Sequence, residues 1–278
     1  MIDVHCHLNF HAFEKDYEAV IKSAFDAGVT KIINVGTKID SSKKAVELAK
    51  NHKNLYAIVG VHPHHADKPP HPNPLPKGEG EGWIEQLENI AKNPKVVGIG
   101  ECGIDYYRYK SNDIVASKLQ KEVFIKQIGL TYKLKLPLQI HNRHAGKDII
   151  DILINYKSYL SNPPGMFHCM SGDLDLLKKV LNLGFYVGFD GNITYRGIAK
   201  GETTDLKDLV KYTPLDRIVT ETDSPFLTPE PRRGSRNIPK HVIIVGRFIG
   251  KLKGLTFAEV EEQTTKNANQ LFQLNAKR

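Results

Sequence analysis

Ile2-Asp3-Val4-His5-Cys6-His7 is a short apolar run that ends in two histidines set two positions apart. In an extended strand alternate side chains share a face, so His5 and His7 point the same way and two imidazoles can reach one ion. The same grammar recurs along the chain. Short apolar or β-branched runs bounded by Gly, Pro or polar residues fall at 2–5, 31–35, 56–60, 96–100, 136–140, 166–168, 185–188 and 217–220. Such runs read as buried parallel strands. Helical patterns lie between and after them, at 13–27, 41–51, 83–92, 114–133, 147–159, 173–182, 205–211, 239–249 and 256–274. Strict alternation implies a parallel sheet with right-handed crossovers, either open and doubly wound or closed.

The polar residues at the strand ends decide between the two. His5 and His7 follow the first run, Glu101 the fourth, His141 the fifth, His168 the sixth and Asp223 the eighth. In a (β/α)8 barrel every such end opens on one face, where chemistry gathers. The expectation is therefore an α/β chain folded as a (β/α)8 TIM barrel, a single domain over residues 1–278. One stretch, 67–82, holds five prolines and three glycines in sixteen residues. It can extend neither a helix nor a ladder and reads as a surface insertion, with a lid as the alternative.

Bulk properties agree. A chain of 278 residues, 40% of them hydrophobic, can bury one large core. No apolar run reaches the roughly 18 residues that would cross a bilayer, and the first residues lack a basic-then-apolar leader, so no membrane partner and a cytoplasmic location are expected. Cys6, Cys102 and Cys169 are too few and scattered for a disulfide framework and form no CxxC pair. Each sits beside a candidate ligand and reads as a small packing residue. The net charge of +8 favours polyanionic partners.

Four histidines and two carboxylates in register at five strand ends are costly to bury unmatched. Metal coordination by His5, His7, Glu101, His141, His168 and Asp223 answers that cost. Imidazole and carboxylate without thiolate suit Zn2+, Mn2+, Fe2+ or Co2+, and Mg2+ less readily. Two divalent ions need a bridging ligand, and Glu101 occupies the central position for it. Asp223 could bind one ion while orienting or deprotonating the attacking water, or simply cap the turn into Ser224-Pro225. Arg143 is either a phosphate clamp or the partner of a nearby carboxylate. Arg232, Arg233 and Arg236 follow the eighth strand and could meet a polyanion. Tyr106, Tyr107 and Tyr109 with Arg108 could stack on bases. His62 and His64, at the third strand end, could contact the phosphate.

The blocks Asp3-Val4-His5-Cys6-His7-Leu8, Gly60-Val61-His62-Pro63-His64, Gly100-Glu101-Cys102-Gly103-Ile104-Asp105-Tyr106-Tyr107, Gln139-Ile140-His141-Asn142-Arg143, His168-Cys169-Met170-Ser171-Gly172, Glu221-Thr222-Asp223-Ser224-Pro225-Phe226-Leu227 and Arg233-Gly234-Ser235-Arg236-Asn237-Ile238-Pro239 run from end to end. At these residues the chain resembles the TatD-related metal-dependent hydrolases, within the wider amidohydrolase-like barrels. The resemblance implies that His5, His7, Glu101 and Asp223 hold one ion and that Glu101, His141 and His168 hold the second. It implies hydrolysis of DNA phosphodiesters by an exonuclease working from the 3′ end, with DNA single strands or 3′ ends as partner and no obligate protein partner. His144, Met170 and Ile238 stand where the family pattern usually has Asp, Phe and Glu, and the 67–82 insertion is extra; none of these removes a ligand. The rival readings are an amidohydrolase, phosphotriesterase or tRNA-ester hydrolase on the same site, and a non-catalytic nucleic-acid-binding barrel.

Overall fold

The computed structural model describes residues 1–67, 82–107 and 115–275. Most of the 67–82 insertion, together with Arg108 and Tyr109, therefore lies outside the described residues. The strands are β1 (Ile2–Cys6), β2 (Lys31–Val35), β3 (Leu55–Val59), β4 (Val96–Asp105), β5 (Leu138–Arg143), β6 (Gly165–Phe167), β7 (Tyr186–Phe189) and β8 (Ile218–Thr220). The helices are α1 (Tyr17–Asp26), α2 (Ile39–Lys50), α3 (Trp83–Ala91), α4 (Ser117–Leu134), α5 (Gly146–Asn155), α6 (Leu174–Asn182), α7 (Leu206–Tyr212), α8 (Val242–Lys253) and α9 (Phe257–Phe272). No described helix is long and apolar enough to cross a membrane.

The strands form one eight-stranded sheet in sequence order, and each pairs in parallel with the next. β1 and β8 complete the ring: Cys6 bridges Ser224, Asp223 N donates to His5 O at 2.9 Å, and His7 N donates to Ser224 O at 2.8 Å. This is the (β/α)8 TIM barrel that alternation and the polar strand ends imply.

Two strands run further than their apolar content. β4 continues past Gly100 to Asp105, with a register irregularity between Ile99 and Cys102, and β5 reaches Arg143. Apolar periodicity stops at Glu101 and His141, but backbone pairing carries on beneath the polar side chains, from Cys102 with Ile140 to Asp105 with Arg143. At the opposite end α9 plugs the barrel. Its Ala268, Leu271 and Phe272 join one buried cluster with Ile2, Ile33, Ile58, Val97 and Val219. Two further clusters fill the space between strands and outer helices, one around Phe124, Phe167 and Phe185 and the other around Phe13, Leu55 and Leu87. Gly60 permits the close approach that the site needs, because a Cβ there would collide with the carbonyl of Gly100. Without it, the ends of β3 and β4 could not bring His62 against Glu101.

Candidate metal centre

The end of β1 delivers two imidazoles to one point. His7 donates Nδ1–H to the carbonyl of Val35 at 2.9 Å, which fixes its tautomer and leaves Nε2 as a bare lone pair. That Nε2 lies 3.1 Å from His5 Nε2, 3.4 Å from Asp223 Oδ1 and 3.7 Å from Glu101 Oε2. His5 Nε2 lies 3.5 Å from Asp223 Oδ1 and 3.6 Å from Glu101 Oε2. A lone pair buried among two carboxylates and a second imidazole is repulsive unless a cation sits between them. The donor set thus fits a divalent ion.

The other oxygen of Glu101 faces a second group. Oε1 lies 2.8 Å from His141 Nδ1, 3.4 Å from His62 Nε2 and 3.6 Å from His168 Nε2. His168 also stacks on His5, with centroids 3.7 Å apart. One carboxylate therefore stands between two sets of donors, and all six residues that the sequence singled out as ligands converge here. His62 adds a seventh polar group.

Behind them stands a ring of carboxylates that sequence reading left without roles. Glu221 Oε2 lies 3.2 Å from His168 Nδ1, and its Oε1 accepts from Cys169 N at 2.6 Å. Asp105 Oδ2 lies 3.2 Å from His141 Nε2 and 2.8 Å from His64 Nε2, while Oδ1 accepts from Tyr107 N at 2.8 Å. Asp3 accepts from Thr222 N at 3.0 Å and from Thr222 Oγ1 at 2.7 Å, clasping β1 to the segment after β8. Carboxylates on the far nitrogen of a ligating histidine orient the ring and raise its basicity. Asp105 carries a legible signal: along β4, Glu101, Gly103 and Asp105 share one face by period two. Ending the strand at Gly100 hid it.

His62 differs from the ligands. Its Nδ1 accepts from His64 N at 3.1 Å, so the proton of the neutral ring sits on Nε2 and points at Glu101. It is a donor, not a lone pair. Burial pushes its pKa down to about 4, against the pull of Glu101, which keeps the ring neutral. Burial likewise holds His5 well below the ordinary range, helped by His168. For His141 and His168 burial is outweighed. Hydrogen bonds to Asp105 and Glu101 lift His141 to about 9, and Glu221 lifts His168 to about 10. Burial resists the charge on Glu101, yet the surrounding imidazoles hold its carboxyl well below the usual carboxylate range.

The substrate-side residues separate. Arg143 lies over the ring of Tyr107 at 4.0 Å, and Tyr107 meets His144 edge-on at 5.6 Å. Arg233 lies over Tyr195 at 4.0 Å. Arg236, by contrast, is committed elsewhere, with NH2 2.6 Å and NH1 3.0 Å from the carboxylate of Asp16. Tyr106, half-buried, packs against the core and donates its hydroxyl to Asp148 at 2.6 Å. His64 is turned onto Asp105, one group removed from the donors. The free thiols of Cys6 and Cys102 are buried behind the site, and burial pushes Cys6 and Cys169 well above the ordinary thiol range.

The TatD-related DNase family model matches residues 2–273. The uncharacterized metal-dependent hydrolase YabD of Bacillus subtilis is 36% identical over 99% of this chain and 100% of its own length. A protein named 3′-5′ ssDNA/RNA exonuclease TatD, from Enterobacter lignolyticus, is 29% identical over 98% of each chain. Among solved structures, the TatD homologue YJJV of Escherichia coli superposes with a TM-score of 0.84 at 27% identity, covering 100% of this chain and 98% of that one. The barrel, the converging donors and these relatives agree: the chain belongs to the TatD-related family of metal-dependent hydrolases.

Proposed function

We propose that this hydrolase cleaves phosphodiester bonds of DNA as a 3′-to-5′ exonuclease, with two divalent cations shared across Glu101. The observation that carries this reading is the division of labour at Glu101: Oε2 faces His5, His7 and Asp223, and Oε1 faces His141 and His168. Cations in those two positions would make a coordinated water more acidic and neutralise phosphate oxygens as charge builds.

The chain's own groups supply the rest. Asp223, whose side chain is 14% exposed, is placed to take the proton of the attacking water. His62, whose Nε2–H points at Glu101 Oε1, can share that proton with a non-bridging phosphate oxygen that arrives beside the carboxylate. Arg143, on the rim, clamps the phosphate, held in plane by Tyr107. The net charge of +8 draws in a polyanion, and the named exonuclease relative gives the reading a precedent.

The test is hydrolysis of 5′- and 3′-labelled single and double strands in Mg2+, Mn2+, Co2+ and Zn2+. The expected result is stepwise loss of mononucleotides from the 3′ end, abolished by Glu101→Ala with the fold intact. Turnover of small esters and lactones alone would assign the site to a small-molecule hydrolase. Salt-sensitive binding without cleavage in any of the ions would make it a binding barrel.

A further inference from the structure

Among the described residues, seven large hydrophobic side chains are exposed, and four of them (Leu119, Tyr132, Ile154 and Tyr212) stand on helices α4, α5 and α7. Phe226 is different. It lies three residues after Asp223, at the mouth of the metal centre, and is 51% exposed. Its ring meets His7 at 6.4 Å and 68°, and meets Phe10 at 6.3 Å and 73°. Phe10 in turn lies flat on His7, with centroids 4.3 Å apart. Phe226 thus forms one wall of a corner whose other wall is a ligand imidazole backed by a phenyl ring.

The wall is fixed in place. Phe226 N donates to Asp223 O at 2.8 Å, and Phe226 O accepts from Asn237 Nδ2 at 2.6 Å. A backbone pinned at both donor and acceptor, carrying a phenyl ring half in water, stabilises no core. It is organised in advance for a partner. The surface beyond it says which kind. The strap from Leu227 to Arg236 carries Arg232 and Arg233, both exposed and neither in an ion pair among the described residues. Arg233 rests on Tyr195, whose hydroxyl donates to Thr228 O at 2.9 Å in the same strap. An apolar peptide would want several contiguous apolar contacts and no cations. A flat ring tied to a string of anions uses both features at once, because every base has a π-face for stacking and a backbone for the arginines.

We infer that Phe226, buttressed by Phe10, is the platform on which the base beside the scissile phosphate stacks. This rests on the phosphodiester reading of the metal centre. One sugar joins that base to the phosphate, which matches the direct ring contact between Phe226 and His7.

Two measurements on the full-length protein test this. The first compares kcat/KM on oligonucleotides ending 3′ in a normal nucleotide or in an abasic one, for the unmodified chain, Phe226→Ala and Phe226→Trp. The second follows quenching of a 3′-terminal 2-aminopurine behind a phosphorothioate linkage that slows turnover. Phe226→Ala should cost about ten-fold more on the base-bearing end than on the abasic end and remove most of the quenching, while Phe226→Trp restores both. An equal loss on the two ends, or quenching indifferent to Phe226, overturns the platform. Hydrolysis without base dependence sinks the platform and leaves the nuclease standing. Phe226-dependent quenching with no hydrolysis of the unmodified oligonucleotide overturns the nuclease reading, and with it the placement of the stacked base beside a scissile phosphate, and leaves Phe226 a base-stacking surface only.

Discussion

Two strand ends of this barrel carry histidines two positions apart, and they do opposite things. At β1, His5 and His7 turn Nε2 atoms toward each other at 3.1 Å, and the proton of His7 lies on the far side, given to Val35 O. After β3, His62 receives a backbone N–H on its Nδ1, so its proton faces the site, and His64 swings away onto Asp105. The spacing is identical; the chemistry is lone pair against donor. What separates His7 from His62 is the group behind the ring: the carbonyl of Val35 takes the outer proton of His7 and leaves its lone pair on the centre, whereas a backbone N–H fills the outer nitrogen of His62 and leaves its proton there.

The sharpest break of that comparison is His7→Ala beside His62→Ala. Removing His7 should weaken ion binding by more than the roughly 100-fold that orienting partners command, read by metal content after dialysis, with activity lost in parallel. Removing His62 should lower kcat/KM by about ten-fold or more, the worth of a donor to a charged oxygen, while metal content stays unchanged. Loss of metal from the His62 variant would make that ring a ligand and dissolve the distinction.

The orienting carboxylates come next. Asp105→Asn should lower metal affinity or activity by about 10- to 100-fold, since His141 then loses the charged acceptor that sets its ring and raises its basicity. The Co2+-substituted protein would report this in its visible absorption, independently of turnover. An unchanged spectrum and affinity would reduce Asp105 to a packing residue.

The gentlest effect is on pH. His141 near 9 and His168 near 10 are protonated in the ion-free chain at neutral pH. Ion binding must therefore expel about two protons, and affinity should rise with pH until it passes those values. Calorimetry in buffers of different ionisation heat counts the protons, and a count near zero refutes the shifts. The sign for stability is the reverse. Folded pKa values raised above the usual value of about 6.5 stabilise the ion-free fold fully below that pH. This contribution fades as pH climbs through 9 to 10.

How much could be read in advance follows from which interactions are local. The strands showed because buried parallel strands must be apolar throughout, and β4 and β5 were cut short because that signal stops where the site begins. The six donors showed because strand ends in a barrel share a face. Glu221 stayed silent, because a buried carboxylate beyond a strand end has no local signature and acquires its purpose only from His168 on another strand. Asp105 shares the face of Glu101 by period two and was hidden only because the apolar run stops at Gly100. Arg236 reads as a free cation in the sequence, yet the fold brings Asp16 beside it.

Periodicity and residue kind along the chain are enough to specify the barrel, the face that carries the chemistry and the donor types. Only the tertiary structure decided which nitrogen of each histidine faces the centre, which carboxylates stand behind, and which aromatic ring is left open. Those are settled by hydrogen bonds and contacts between residues as far apart in the chain as Asp3 and Thr222, and no local pattern encodes them.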